Sequence, residues 1–305
     1  MNKHNDKRSA GSKGVLGTFL ALLLIGAVCM VVPIIMQDME LIQDAAEYQQ
    51  LREQTVVSIP IAQQTDIPVV NIDIPAETDE LMPPQTDAEQ PVEAAPLATE
   101  TPTAESSAVP SQVQQERTSP DLAALKEQNS DFVAWIQIPG TNVDYPVVLT
   151  DDTEYYLTHT FSGKESKIGT LFSLAKTDYQ TPGRNIAIYG HNIKSSSNSM
   201  FRTLHSYKER DFYADHPTIY FDTIYRSGTY TIFAVLNMID GDWDPSTSVF
   251  VDDDAFMNFV ENARAQAMYD TGVAVTEKDE ILTLITCDRS YSSPDGRLIV
   301  MAVRA

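Results

Sequence analysis

Cys287 is the only cysteine of this 305-residue chain that lies outside the long apolar segment near the N-terminus. It ends the apolar run EILTLITC, and Arg297, ten residues later, opens the run RLIVMAVR. A thiolate can attack a carbonyl carbon, and a guanidinium can donate hydrogen bonds to the oxyanion that this attack creates. Because a loop rich in Ser, Pro, Asp and Gly separates the runs, an antiparallel pair would place both side chains at the same end of a sheet.

A histidine at the end of another apolar run is suited to exchange protons with such a thiol. The run NIAIYG ends at Gly190, and His191 follows it directly. The other four histidines lie in polar stretches, in a turn or in the N-terminal tail, where surface positions are expected: His4, His159, His205 and His216. His191 alone lies at the edge of a predicted strand, next to a glycine, and is the histidine expected at the rim of the sheet.

Each of these residues also has a purely structural interpretation. A cysteine in a strand is commonly a buried apolar side chain, although an unpaired cysteine in an extracellular protein is also a candidate reactive thiol. Arg297 could form a surface ion pair with Asp295, and Arg289 is a second candidate for the oxyanion role. The residues alone leave these alternatives open.

The first 36 residues have the pattern of a membrane anchor. Residues 14–36 form a run of 23 residues without a charge, and about 20 apolar residues are needed to span the hydrocarbon of a bilayer. Residues 1–13 form a basic tail, which predicts a cytoplasmic N-terminus and an extracellular remainder. The alternatives are a cleaved signal peptide, whose apolar region is normally shorter, and a lipoprotein modified at Cys29.

Residues 37–118 are predicted to form an acidic, proline-rich extracellular stalk. Between residues 37 and 120 the chain has sixteen Asp or Glu residues, two Arg residues and a single aromatic residue, Tyr48. Such a composition cannot bury enough apolar surface to offset the entropy lost on folding. We expect a solvated, disordered segment with a short helix that continues to about Glu53. The net charge of −22 also disfavours nucleic acid as a partner.

Residues 119–305 are predicted to form the folded domain, which is mainly β. Eight short runs rich in Ile, Val, Tyr and Thr are separated by turn signals: VAWIQI, YPVVL, GTLFSL, NIAIYG, TIYFDT, TYTIFAVLNM, EILTLITC and RLIVMAVR. This pattern predicts a closed or nearly closed, antiparallel, eight-stranded β-barrel.

Three helical segments are expected to accompany these strands. In SPDLAALKEQN, Ser119 is the predicted N-cap, Pro120 takes the first helical position and Asp121 lies in the first turn. The segments NSMFRTLHSYK and DDDAFMNFVENARAQAMY lie between strands and are predicted to be helical insertions in the barrel.

The motif TLITC with an arginine ten residues later, and the motif YGHN about a hundred residues earlier, resemble the active-site pattern of the sortases. These are cysteine transpeptidases that anchor proteins to the wall of Gram-positive bacteria. The likeness extends over residues 130–305, where WIQIPGTNVDYPVV, SMF after the histidine and a long helix before the cysteine strand resemble class B sortases. The resemblance implies a sortase-type β-barrel. The stalk has no counterpart of the self-inhibiting lid of class C members.

The resemblance also implies a mechanism and partners. Cys287 would attack the carbonyl after a threonine in a C-terminal sorting signal of a surface protein and form a thioacyl enzyme, while His191 protonates the leaving amine. Arg297 would hold the carbonyl oxygen, and Thr286 and Asn192, which belong to the two motifs, would bind substrate. An amine of the peptidoglycan precursor or a pilin lysine would then resolve the thioacyl enzyme. No cofactor or metal is implied.

The resemblance leaves the sorting motif open among Asn-Pro-x-Thr, Leu-Pro-x-Thr and Ser-Pro-x-Thr types, with the specificity expected in residues 240–279. Two other functions are compatible with the same residues. A membrane-anchored cysteine protease would resolve the intermediate with water, and a non-catalytic extracellular adhesin or scaffold would use Cys287 only for packing.

Overall fold

The structure is a computed structural model that describes residues 31–32, 35–36, 39–53, 56–58, 118–193, 199–239, 241, 243–288 and 295–305. All of these residues belong to one compact unit. The predicted cytoplasmic tail, residues 1–13, lies outside this part of the chain, as do most of the predicted membrane segment, residues 14–36, and most of the predicted stalk. Within the described ranges, no helix combines the length and the apolar character that crossing a bilayer requires.

Eight strands close a barrel, and they correspond one by one to the eight predicted runs. The strands are β3 (Phe132–Gln137), β4 (Asp144–Thr150), β5 (Leu171–Leu174), β6 (Asn185–Tyr189), β7 (Thr218–Thr223), β8 (Thr229–Ile239), β9 (Ile281–Cys287) and β10 (Gly296–Arg304). Around the barrel their order is β10-β8-β7-β3-β4-β5-β6-β9. The predicted mainly-β, eight-stranded barrel is confirmed.

The barrel is not entirely antiparallel, so that part of the prediction is wrong. Strand β4 pairs in parallel with β5, and β6 pairs in parallel with β9. Parallel neighbours need a crossover connection of a dozen or more residues. Residues 151–170 provide one between β4 and β5, and residues 190–280 connect β6 to β9. Local alternation in the sequence cannot reveal such distant pairings.

Strands β8, β9 and β10 are buried on both faces, which explains their nearly continuous apolar sequences. In β8, Ile232 and Val235 belong to the main core, whereas Phe233 and Leu236 belong to a second apolar cluster. Helix α4 (Asp253–Ala265) covers this second cluster with Phe256 and other buried side chains. The predicted helical insertion before β9 is therefore confirmed, and it supports the strands that end at the site.

The other insertion, after β6, forms two short helices. A 3-10 helix, η1, runs from Phe201 to Lys208, and α3 follows as Arg210–Asp215. Because a 3-10 helix has three residues per turn, its buried side chains recur at every third position. Phe201, Leu204 and Tyr207 are the buried ones.

The helix that leads into the barrel begins two residues later than predicted. Helix α2 spans Leu122–Gln128, and Asp121 is its N-cap, with its carboxylate accepting hydrogen bonds from the backbone N–H groups of Ala123 and Ala124 at 3.0 and 3.1 Å. The predicted N-cap, Ser119, lies instead in strand β2 (Thr118–Pro120). Pairing of β2 with β1 (Val56–Ser58) holds this segment extended.

An N-terminal helix, α1, covers residues 39–53 and packs against the barrel. Leu41, Tyr48 and Leu51 are buried at the spacing of one helical face, and Asp44 shares that face. The prediction that a helix continues to about Glu53 agrees with this structure. A solvated stalk beginning at residue 37 does not, because α1 and β1 belong to the folded unit. Burial of a single apolar face stabilises a segment whose overall composition is strongly polar.

We expect Asp121→Ala to lower the free energy of unfolding by about 1 kcal/mol, because two backbone N–H groups at the start of α2 lose their acceptor. Ser119→Ala is the matched control and should lower it by less than Asp121→Ala does, because the Ser119 hydroxyl makes only a 3.5 Å contact with the Pro120 carbonyl. Urea denaturation of the purified protein measures both. A larger effect for Ser119→Ala than for Asp121→Ala would place the cap where the sequence alone suggested.

Candidate active site

Cys287 and Arg297 are direct neighbours across two antiparallel strands. Cys287 is the last residue of β9, and its partner in the register with β10 is Arg297. Directly opposite residues of an antiparallel pair project from the same face of the sheet. The juxtaposition expected from their spacing is therefore present. Arg289, the alternative guanidinium, lies outside the described residues.

His191 reaches the same end of the barrel through the parallel pairing of β6 with β9. Tyr189, the last residue of β6, is paired with Ile285, and the backbone N–H of Gly190 donates to the carbonyl of Ile285 at 3.1 Å. His191 therefore follows β6 at the level where β9 ends in Cys287. A Cβ atom at Gly190 would lie 2.3 Å from Leu171 Cδ2. Glycine is required there by the close packing of the strand end.

The imidazole of His191 is oriented by a backbone carbonyl. Its Nε2 lies 2.9 Å from the carbonyl oxygen of Leu157, which can only accept, so Nε2 carries a proton. The other ring nitrogen, Nδ1, is then the one that can exchange a proton with a reacting group. A histidine whose tautomer is fixed in this way is suited to act first as an acid and then as a base.

The three side chains line one cavity of about 440 Å³. Its apolar lining includes Leu157, Phe172, Leu174, Met238, Pro245 and Ile285. Cys287 is partly exposed, whereas a thiol of the core would be fully buried. It forms no disulfide. A mostly apolar cleft with a few convergent polar groups is the usual form of a substrate site.

The two predicted substrate-binding residues have contacts within the protein. Thr286 is buried, and its hydroxyl donates to the carbonyl of Gly190 at 2.8 Å, which ties the cysteine strand to the histidine turn; it also contributes to the cavity wall. The side-chain amide of Asn192 donates to the carbonyl of Cys287 at 2.8 Å, and Asn192 is not among the residues that line the cavity. Both residues hold the site together, and their contact with substrate stays a prediction.

A polar cluster that the sequence did not indicate lies behind Cys287. The side chain of Asp288 is completely buried, and Lys208 Nζ lies 2.5 Å from its Oδ2. His205 Nε2 accepts from the side-chain amide of Asn192 at 2.8 Å and lies 3.2 Å from the carbonyl oxygen of Cys287, and its Nδ1 is 3.9 Å from Asp288 Oδ1. The prediction of a surface position for His205 is wrong, because its side chain is only 14% exposed. The sequence holds one signal for this cluster: His205 and Lys208 are three residues apart, and residues three apart align on one side of a 3-10 helix.

Burial lowers the pKa of His205, although the Cys287 carbonyl and the nearby Asp288 carboxylate, which favour the charged form, act in the opposite direction. In the neutral imidazole Nε2 is the acceptor for the Asn192 amide, whose other N–H donates to the Cys287 carbonyl. His205 therefore holds Asn192 in place, and Asn192 holds the backbone of Cys287.

Comparisons with known proteins agree with this geometry. The family profile described as Sortase domain matches residues 136–305. The chain belongs to the sortase family. Sortase B of Listeria monocytogenes is 31% identical over 180 residues, which are 59% of this chain and 72% of that protein. Sortase B of Staphylococcus aureus is 30% identical over 188 residues, or 62% and 76% of the two chains.

Solved structures show the same relationship. A Staphylococcus aureus sortase B–substrate complex aligns with a TM-score of 0.56 and 28% identity, covering 60% of this chain and 84% of that chain. Clostridium perfringens sortase B aligns with a TM-score of 0.56 and 27% identity, covering 61% of this chain and all of the other. The chain is thus a class B-like sortase, and sortases are cysteine transpeptidases that act on proteins with a sorting signal and on amine nucleophiles.

We expect the stability of this sortase to fall as the pH is lowered from about 7.5 to about 5, and His205→Gln to reduce this fall. The unfolded chain binds a proton as the pH passes the ordinary histidine pKa of about 6.5, whereas burial disfavours the charged form in the folded state. The part of the stability contributed by His205 is therefore complete above that pKa and lost below it. Glutamine does not titrate, and its amide oxygen can accept from Asn192 as the imidazole Nε2 does.

Thermal unfolding of both proteins at a series of pH values measures the difference between them. The same pH dependence in the wild type and in His205→Gln would contradict the assigned burial of the neutral imidazole.

Proposed function

We propose that this sortase is anchored in the cell membrane by residues 14–36, with residues 1–13 in the cytoplasm and the barrel outside. The support is the run of 23 uncharged residues preceded by a basic tail. Helix α1, residues 39–53, follows this segment closely in the chain, so the barrel would lie close to the bilayer surface. Both the sorting signal of a membrane-held substrate and a wall precursor would be within reach of such an enzyme.

The proposed reaction cleaves a C-terminal sorting signal after threonine and transfers the protein to an amine of the peptidoglycan precursor or to a pilin lysine. The convergence of Cys287, His191 and Arg297 on one cavity is the observation that carries this proposal. No residue of the cavity distinguishes a wall peptide from a pilin, and the amine chemistry is the same for both.

In the first half-reaction the Cys287 thiolate attacks the threonine carbonyl carbon, and a tetrahedral oxyanion forms beside Arg297. Collapse of the oxyanion breaks the peptide bond, and the leaving nitrogen takes a proton from His191. The products are a thioacyl enzyme, a released C-terminal peptide with a free amine, and a neutral His191.

In the second half-reaction the acceptor amine attacks the thioester carbonyl and loses a proton to His191. Arg297 again donates to the oxyanion, and collapse expels the Cys287 thiolate, so the imidazolium and thiolate are restored. The apolar lining of the cavity disfavours water in this step. Transfer to an amine therefore competes effectively with hydrolysis.

We expect Cys287→Ala to abolish the thioacyl enzyme and the transfer product without unfolding the protein. The assay incubates the enzyme with a library of peptides that carry Pro-x-Thr sorting motifs, with and without triglycine as acceptor, and identifies products by mass. A thioester that still forms in Cys287→Ala would refute the assignment of the nucleophile. A hydrolysis product at the same rate with and without triglycine would identify a protease.

Arg297→Lys should lower kcat by about 10²- to 10³-fold, because a point charge does not replace the planar pair of donors beside the oxyanion. Arg304→Lys is the matched control: Arg304 lies at the other end of the same strand, where it forms an ion pair with Glu280 at 3.2 Å. Steady-state kinetics should show near wild-type turnover for this control. Near wild-type turnover for Arg297→Lys would assign the oxyanion to another group.

A further inference from the structure

The carbonyl that orients His191 belongs to residues 156–170, which form the larger part of the connection between β4 and β5. We call this segment the 156–170 loop. Its two ends are joined by a hydrogen bond of 2.8 Å from the backbone N–H of Thr170 to the carbonyl of Tyr156. A second bond of 2.8 Å, from the N–H of Ser166 to the carbonyl of Thr158, closes it further. Leu157, whose carbonyl accepts from His191, lies between these two bonds.

Helix α1 is bonded to this loop through two buried side chains. The hydroxyl of Tyr48 donates to the carbonyl of Gly169 at 2.6 Å. The carboxylate of Asp44 accepts from Lys164 at 2.6 Å and from the hydroxyl of Ser166 at 2.5 Å. Tyr48 is 1% exposed and Asp44 is 4% exposed, so water does not replace these bonds readily. Burial raises the pKa of Tyr48, which keeps its hydroxyl protonated as a donor.

Gly169 transmits this contact to the carbonyl of Leu157. Its φ is +66°, and a Cβ atom there would lie 2.9 Å from the Leu157 carbonyl oxygen and 2.5 Å from that of Tyr156. The backbone of Gly169 is thus packed directly against the carbonyl that accepts from His191. The carbonyl of Gly169 accepts from Tyr48 on α1. The backbone of Gly169 in turn limits where the Leu157 carbonyl can lie.

We propose that α1 is a positioning element for catalysis, in which Tyr48 and Asp44 hold the 156–170 loop so that the Leu157 carbonyl orients the His191 imidazole. This inference rests on the proposed role of His191 as the acid and base. It makes Tyr48 a positioning residue that contacts no reacting atom. The helix next to the proposed membrane segment thereby takes part in assembling the active site.

Another contact between α1 and the barrel allows this role to be separated from general stabilisation. Arg52 Nε lies 3.0 Å from Asp144 Oδ2, and the buried Asp144 carboxylate also accepts from the side chains of Trp135 and Gln137. Asp144 is in β4 and is not part of the 156–170 loop. Loss of the Arg52 contact should loosen α1 without displacing the Leu157 carbonyl.

The experiment compares Tyr48→Phe with Arg52→Gln in the full-length protein. Tyr48→Phe keeps the ring that packs edge-on against Tyr145 at 5.4 Å but removes the bond to Gly169. We expect kcat to fall about three- to tenfold, the rate equivalent of one buried hydrogen bond, with KM changed by less than about twofold. Arg52→Gln should leave kcat at the wild-type value, even if it lowers the melting temperature as much as Tyr48→Phe does.

A second readout reports the hydrogen bond itself. In protein labelled with 15N-histidine, we expect the Nε2–H of His191 to exchange faster with solvent in Tyr48→Phe than in the wild type or in Arg52→Gln. His191→Asn identifies the resonance by its loss. Gly169→Ala, whose Cβ would displace the Leu157 carbonyl, should change both readouts in the same direction and by more than Tyr48→Phe does.

Unchanged kcat and unchanged exchange in Tyr48→Phe would overturn this inference, as would equal losses in Tyr48→Phe and Arg52→Gln. Absence of a thioacyl enzyme in the wild type would instead reject the proposed function, and the exchange measurement would still decide whether α1 orients His191. The two proposals therefore fail on different observations.

Discussion

Parallel pairing of β6 with β9 brings together the carboxyl ends of two strands that are almost a hundred residues apart in the chain. His191 follows the first strand, and Cys287 ends the second. Hydrogen bonds that join Gly190 to Ile285 and to Thr286 fix the level of the two ends relative to each other. The antiparallel neighbour β10 then supplies Arg297 from its amino end. Without the β6–β9 ladder His191 and Cys287 would not be brought to the same end of the barrel.

Cys287 is supported by neighbouring polar groups whose burial has an energetic cost. Removing the Asp288 carboxylate from water is unfavourable, and its contact with Lys208 at 2.5 Å offsets part of that penalty. The side-chain amide of Asn192 donates both to the carbonyl of Cys287 and to Nε2 of His205, so the backbone at Cys287 has little freedom to move. Such fixed geometry is useful to catalysis because the groups need not reorganise as charge develops.

Local patterns were sufficient to predict the eight strands and the neighbour relation of Cys287 and Arg297, because alternation and a short loop are properties of contiguous residues. The parallel pairs could not be predicted, since they depend on partners separated by whole elements.

The polar residues that flank His205 predict a surface position, although its burial is decided by Asp288, which lies on another segment. Helix α1 was missed as a packed element because an average over an acidic segment conceals one apolar face. The N-cap at Asp121 depends on the pairing of β2 with β1.

The pairing of β1 with β2 bears on the role of the acidic segment between these two strands. Val56–Ser58 and Thr118–Pro120 lie side by side, so the two ends of the intervening segment are held next to each other. As a linear spacer, the intervening 59 residues would add up to about 210 Å of contour length. Because its ends are paired, the segment adds nothing to the separation of α1 from the barrel. Its length and composition can therefore change in evolution without altering the distance from α1 to the barrel.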